Sequence, residues 1–240
     1  MKFKAKSMLA MAVLLSVLSV GTMAEAEFKY KVDDGTEQTW DGSVNLNGTG
    51  TKLEVWSSDG SDYTVSGIYG GYDSGSITIS GKTVFFNSGT VNGVYGGESY
   101  SGKAMNNTVN ISGGTVQQNV YGGNSFSSNV TGNIVNISGG TVQQKVYGGN
   151  SFNGEVSGNK VIVSGGDLSS ATVYGYSNTA SSHSNNTLQI ENSVTIREIH
   201  NFENISFVLP SISGNTTILN LTNAFSVFHE ICIYNSLNQH

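Results

Sequence analysis

The sequence predicts an all-β protein, a parallel β-solenoid (β-helix) whose coils are about 26 residues long. Three observations predict it: a unit of that length recurs, apolar residues alternate in short bursts inside each unit, and the composition is unusual. The 240 residues include 31 Gly and one Pro, and 12% of them are charged. Collagen, which needs Gly at every third position, and heptad coiled coils are excluded, and the low charge argues against disorder.

Residues 1–26 are typical of a secretory signal peptide. Three lysines precede an apolar run from Met8 to Val20, and Ala24-Glu25-Ala26 places small residues where a signal peptidase cuts. The run is shorter than the ~20 apolar residues that a membrane-spanning helix needs. We therefore expect cleavage after Ala26 and export of the rest of the chain.

Residues 27–66 are predicted to form an acidic N-terminal cap. Nine acidic residues lie between Glu27 and Asp73, and the segment also holds Trp40 and Trp56. The first coil of a stack exposes a hydrogen-bonding edge that invites association. The terminal units of repeat proteins differ from the inner units because they cover such an edge.

The solenoid is predicted over residues 67–224 from an internal repeat. Val-Tyr-Gly-Gly begins at Val94, Val120 and Val146, and the segments Val94–Asn119 and Val120–Lys145 share 17 of 26 residues. The tyrosines of the repeat are Tyr69, Tyr95, Tyr121, Tyr147 and Tyr174, spaced by 26, 26, 26 and 27. A fixed period of this length indicates a stacked array. Inside a unit the apolar residues alternate, which predicts short strands with one buried face.

Polar residues recur in the same register. An asparagine directly precedes the first strand of each unit, and stacked amide side chains can satisfy buried turn groups as a ladder. We expect this structural ladder from Asn107, Asn133, Asn159 and Asn186. Glycines 114, 140 and 166 recur where a tight turn would require a positive φ.

Aromatic residues form two further columns. The first contains Tyr95, Tyr121 and Tyr147, and the second contains Tyr100, Phe126 and Phe152. The tyrosines follow inward-facing valines, so strand alternation points them outward. Two arrangements are open: exposed aromatic ladders suited to sugar or protein contact, or two columns that pack on each other under the loop.

The signal peptide, the Gly-Gly-Thr-Val and Val-Tyr-Gly-Gly coils, and the segment Ile-x-x-Phe-Glu-x-Ile-x-Phe-x-Leu-Pro at 199–210 together resemble the passenger region of bacterial autotransporters. The similarity covers residues 67–222. It implies a right-handed β-helix, exported to the cell surface or the extracellular space of a Gram-negative bacterium, with an adhesin-like structural role. The implied partner is a surface protein or glycan of a host or a neighbouring cell.

Residues 225–240 depart from that resemblance. The segment from Phe225 to Tyr234 contains no Gly and holds Cys232, the single cysteine. Autotransporters end in a translocator barrel of about a dozen membrane strands, each ~10 residues long, and nothing of this kind follows before His240. We expect an atypical tail of a truncated or frame-shifted product, or of a stand-alone secreted remnant, linked to the outer membrane only through a translocator that is missing.

A secreted carbohydrate-active β-helix enzyme, either a polysaccharide lyase or a hydrolase, is the alternative. Such enzymes need paired carboxylates, or a carboxylate-held metal beside a basic residue, on one face. Between residues 94 and 175 the acids are Glu98, Glu155 and Asp167, and their register separates them. We therefore expect no catalytic residue and no cofactor. The four histidines lack metal-ligand spacing, so no metal site is expected either.

Nucleic acid is not an expected partner. Removal of residues 1–26 takes away three lysines and one glutamate, which changes the formal charge from −6 to −8. Arg197 is the single arginine of the chain. Binding to phosphates needs many basic side chains on one surface, and this sequence cannot supply them.

Overall fold

The computed structural model describes residues 28–39, 50–57, 64–208, 217–223 and 232–234. The predicted signal peptide, Trp40 and most of the predicted tail lie outside these ranges. Among the residues described, no helix has the length and apolar character that a membrane span requires.

The described segments contain strands and no helix. In chain order the strands are β1 Phe28–Val32, β2 Gln38–Thr39, β3 Lys52–Ser57, β4 Thr64–Val65, β5 Ile68–Tyr69, β6 Tyr72–Asp73, β7 Ile79–Ser80, β8 Thr83–Phe86, β9 Thr90–Ser99, β10 Ala104–Met105, β11 Thr108–Ile111, β12 Thr115–Ser125, β13 Val130–Thr131, β14 Ile134–Ile137, β15 Thr141–Val142, β16 Lys145–Ser151, β17 Glu155–Ser157, β18 Lys160–Val163, β19 Leu168–Tyr174, β20 Ser182–Ser184, β21 Thr187–Ile190, β22 Val194–His200, β23 Asn204–Val208, β24 Leu219–Leu221 and β25 Cys232–Tyr234.

These strands form three sheets, and from β3 onward the neighbouring strands on each sheet's main path belong to successive coils. Sheet A has the order β2-β1-β3-β8-β11-β14-β18-β21-β23-β25, sheet B the order β24-β22-β19-β16-β12-β9-β4, and sheet C the order β20-β17-β13-β10-β7. In sheet B, β5 and β6 also pair with β9, and β15 pairs with β12. The parallel β-solenoid is therefore confirmed, with about six turns of ~26 residues. Its right-handed sense stays a prediction.

The core is a set of aliphatic columns inside the wound sheets. Sheet A pairs Val109 with Val135, Val135 with Val161, and Val161 with Leu188. These four side chains are fully buried. Each buried side chain of this type contributes roughly 1.5–3 kcal/mol relative to an exposed one. Short alternating strands are enough to build this core, because each strand packs against the strand of the next coil.

The N-terminal end of sheet A is closed by antiparallel strands. β1 pairs antiparallel with β3 from Phe28↔Ser57 to Val32↔Leu53, and β2 pairs antiparallel with β1. β3 in turn pairs parallel with β8. The parallel stack thus begins at β3, inside the segment 27–66 that the sequence analysis assigned to the cap.

The recurrent turn glycines have the predicted backbone conformation. The φ angles of Gly114, Gly140 and Gly166 are +74°, +72° and +83°. A Cβ on Gly140 would lie 2.7 Å from the backbone of Gly113 in the adjacent coil. Only glycine combines this left-handed φ with so close an approach between coils.

Candidate functional site

The predicted asparagines form an interior amide row. The side-chain Nδ2 of Asn107 donates to Oδ1 of Asn133 at 3.1 Å, and the next two steps, from Asn133 to Asn159 and from Asn159 to Asn186, are 2.9 and 3.0 Å. In each of these three steps the accepting Oδ1 also receives the backbone N–H of the preceding asparagine. All four residues are fully buried. Hydrogen bonding along the row removes the cost of burying these amides.

The interior row ends on Glu203, which the sequence analysis did not include. Pairing of Thr187 with Asn204 places Glu203 at the register position of the asparagines. Its Oε2 accepts from the backbone N and from Nδ2 of Asn186 at 2.7 and 3.0 Å, and its Oε1 lies 2.6 Å from Nδ1 of His183. A carboxylate only accepts hydrogen bonds, so it ends the row without leaving an unpaired N–H. The repeat shortens to 17 residues at this step, which hid the match.

The first aromatic column stacks through successive coils. The ring centroids of Tyr95 and Tyr121 lie 5.0 Å apart, and those of Tyr121 and Tyr147 lie 5.1 Å apart with planes 2° from parallel. Tyr69 extends the stack at one end, and Tyr174 followed by His200 extends it at the other. Burial raises the pKa of Tyr121 to about 12. These rings are half-buried and support one another.

The second aromatic column is exposed. The exposed fractions are 56% for Tyr100, 45% for Phe126 and 49% for Phe152. Ring centroids are 4.9 and 5.1 Å apart with nearly parallel planes, so each inner ring face is covered by its neighbour. Among the described residues no ring contact joins Tyr100, Phe126 or Phe152 to the tyrosine column.

A groove of about 280 Å³ lies beside the exposed column. Its lining residues are Tyr72, Asp73, Glu98, Ser99, Tyr100, Asn124, Ser125, Phe126, Asn150, Phe152 and Thr179. A second amide row lines it: Nδ2 of Asn150 donates to Oδ1 of Asn124 at 2.6 Å, and Nδ2 of Asn124 donates to Oε1 of Glu98 at 2.8 Å. The groove therefore has an aromatic side and a polar side.

The groove is acidic. Burial raises the pKa of Glu98, and the hydrogen bond from Asn124 opposes that rise. Asp73 lines the same groove, and its Oδ2 accepts from the backbone N–H of Gly75 and of Ile77 at 3.0 and 2.7 Å. The lining contains no lysine, arginine or histidine in the part of the chain that the structure describes. The site therefore suits neutral or cationic ligands rather than anions.

The sequence analysis considered Glu98 and the exposed column but missed the other lining residues, Tyr72 and Asp73 among them. Tyr72 and Asp73 pair with Glu98 and Ser99 in the next coil. The available signal was positional, because Tyr72 follows Gly70-Gly71 as Glu98 follows Gly96-Gly97. The analysis compared acids only within residues 94–175, so the common lining by Asp73 and Glu98 did not emerge.

Metal binding has no support in the described segments, which contain no group of three or more His, Cys, Asp or Glu residues placed to hold an ion. The two described histidines lie next to glutamates: His183 contacts Glu203, and His200 contacts Glu198 at 3.1 Å. Cys232 lies in β25, and the histidines at 229 and 240 lie outside the described residues.

Comparison of the chain with models of protein families, with curated proteins and with solved structures found no match. The β-solenoid architecture itself is consistent with an autotransporter passenger-like domain.

Proposed function

We propose that the chain is an exported structural protein of the autotransporter passenger type. In this proposal it is displayed at the surface of a Gram-negative cell, where it attaches to a protein or glycan of a host or neighbouring cell. The groove and the exposed aromatic column make the contact. The solenoid holds both on a rigid, repetitive surface.

The exposed column is the observation that carries this proposal. Three aromatic side chains, each about half exposed, lie in register over three coils beside a groove. Contiguous exposed apolar surface is uncommon on soluble proteins and marks interaction sites. Aromatic residues are also enriched at the energetic centres of protein interfaces. The core is complete without these rings, because the aliphatic columns are separately buried.

Binding of the purified full-length chain to an array of matrix proteins and glycans tests the proposal. The test variant is the double substitution Phe126→Ser and Phe152→Ser. The matched control is Ile77→Ser, because Ile77 is an apolar side chain that is 66% exposed and does not line the groove. We expect the double variant to lose binding with little change in melting temperature. We expect the control variant to keep binding. Equal binding by all three proteins would contradict the proposal.

Export is tested separately. Expression of the complete chain in a Gram-negative host should give a protein lacking residues 1–26 in the periplasm, at the surface or in the medium. Mass spectrometry of the purified protein reads the new N-terminus. A protein that retains Met1 and stays in the cytoplasm would contradict the export part of the proposal.

The second candidate is a carbohydrate-active enzyme, and one observation favours it. Asp73 and Glu98 line one groove, and burial raises the pKa of Glu98, as a general acid requires. The test is the release of reducing or unsaturated sugars from acidic and neutral polysaccharides. If the native chain releases sugars and the Glu98→Gln variant does not, the enzymatic function would replace the adhesive function proposed above.

A further inference from the structure

The end of the groove nearest the N-terminal cap differs from its middle. There Tyr100 is the last ring of the exposed column, and among the described residues its ring stacks only on Phe126. No second ring among these residues covers its other face. Asp73 and Glu98 line the groove at this same end, since β6 pairs with the last residues of β9.

The carboxylates at this end have oxygens to spare. Glu98 uses Oε1 to accept from Asn124, and the described residues provide no hydrogen bond to its Oε2. Asp73 uses Oδ2 for two backbone N–H groups, and its Oδ1 has no partner in the same part of the chain. Among the described residues no basic side chain lines the groove, so these two carboxyl groups have no cation beside them there.

We propose that this end of the groove receives an arginine side chain of a partner protein. This inference rests on the adhesive function proposed above. The guanidinium donates to the free Oε2 of Glu98 and lies on the outer face of Tyr100, while its aliphatic stem follows the ring of Phe126. Asp73 lines the same groove and adds negative charge to it. A planar guanidinium suits this combination, because it binds carboxylates with several donors and stacks on aromatic faces.

Ring geometry together with charge favours this occupant over a sugar. A sugar ring packs against the face of an aromatic ring, and both faces of Phe126 are covered by its neighbours at 4.9 and 5.1 Å. The face of an aromatic ring carries negative charge density and its edge carries positive charge density. Tyr100 and Phe152, the two end rings of the column, each stack on Phe126 alone among the described residues. A cation at the acidic end of the groove is therefore attracted to the outer face of Tyr100. The acidic lining then supplies charge complementarity that a neutral sugar would not use.

A titration followed by NMR tests the proposal on the full-length, isotope-labelled chain. The probes are the peptides Gly-Ser-Arg-Ser-Gly, Gly-Ser-Lys-Ser-Gly and Gly-Ser-Gln-Ser-Gly, together with a neutral oligosaccharide. We expect the arginine peptide to shift the amide signals of Asp73, Glu98 and Tyr100. We also expect it to bind more tightly than the glutamine peptide by about tenfold. The lysine peptide should bind with an affinity between those of the other two peptides, and added salt should weaken the binding of both charged peptides.

Glu98→Gln supplies the decisive variant, and Glu155→Gln is its matched control. Glu155 also accepts from an asparagine amide, Asn129 at 3.4 Å, but lies in sheet C and does not line the groove. Glu98→Gln should weaken the arginine peptide by about tenfold, and Glu155→Gln should leave it unchanged. Equal binding of the arginine and glutamine peptides, equal effects of the two variants, or tighter binding of the oligosaccharide would overturn the inference.

The two proposals fail in different ways. If the double substitution Phe126→Ser and Phe152→Ser abolishes array binding while the peptides show no preference for arginine, the adhesive function stands and this inference is overturned. If the arginine peptide binds as expected but the array detects no attachment, the arginine site stands and the adhesive function is overturned.

Discussion

Among the described residues, one row of hydrogen-bonded amides in the interior and another in the groove each end on a glutamate. The interior row leads from Asn107 to Glu203, and its asparagines are completely buried. The groove row leads in the opposite chain direction, from Asn150 to Glu98, and is half-buried. In both rows an Nδ2 of one coil donates to the side-chain oxygen of the neighbouring coil.

The difference lies in how each row ends. Both oxygens of Glu203 have partners, one from Asn186 and one from His183. Only one oxygen of Glu98 has a partner among the described residues. The same stacking of side chains therefore produces a closed end that stabilises the fold and an open end that is suited to a ligand.

The largest expected effect comes from removing one amide from each row. Asn133→Leu should lower the free energy of unfolding by about 3 to 5 kcal/mol, because the buried groups of Asn107 and Ala104 lose their partners. Asn124→Leu should cost less than about 1 kcal/mol, since water replaces the lost partner. Denaturant unfolding measures both. Equal losses would show that burial does not distinguish the rows.

The backbone turns that support the coils should respond next. Gly140→Val places a β-branched residue at a positive φ and a Cβ against the adjacent coil, so we expect a loss of about 2 kcal/mol or more. Gln143→Val, at an exposed strand position, is the control and should be nearly neutral. Thermal unfolding compares the two. Similar melting temperatures would refute the turn assignment.

Neutralising each terminal glutamate sharpens the comparison further. Glu203→Gln should destabilise the protein by about 1 to 2 kcal/mol, because an amide group replaces an acceptor that receives N–H groups of Asn186. Glu98→Gln should leave stability equal or slightly higher at neutral pH, since burial disfavours the ionised carboxylate. Denaturant unfolding at pH 7 measures both changes. A larger loss from Glu98→Gln would contradict the open end.

The smallest effect is a pH dependence at Glu98. Its pKa in the folded protein is raised by burial, so the folded state favours the protonated acid. The resulting stabilisation is fully present below the unfolded pKa, and it is lost as the pH rises through the folded pKa. The stability difference between Glu98→Gln and the native chain should therefore shrink as the pH falls through the folded pKa of Glu98, and this change should be complete below the unfolded pKa. A difference that grows on acidification would contradict this sign.

Much of the fold follows from local sequence. Each repeat carries its own strand alternation, turn glycine and asparagine, so one unit predicts the next as long as the spacing stays at 26 or 27. Prediction from the repeat failed where the spacing between units changed. Glu203 occupies the asparagine position after only 17 residues, and β3 joins the parallel stack from a segment without the repeat. Register across coils, rather than a local pattern, decides both.

Periodicity alone determined the coil length, the buried columns, the interior amide row and the turns that need glycine, because these features repeat within every unit. Only the tertiary structure decided that Asp73 and Glu98 share one groove, that the rings of the exposed column cover one another's faces, and that Glu98 keeps an oxygen without a partner. Those features depend on how particular side chains of successive coils lie against each other. A repeat specifies how the coils stack, but it does not specify the contacts made by residues that depart from the repeat.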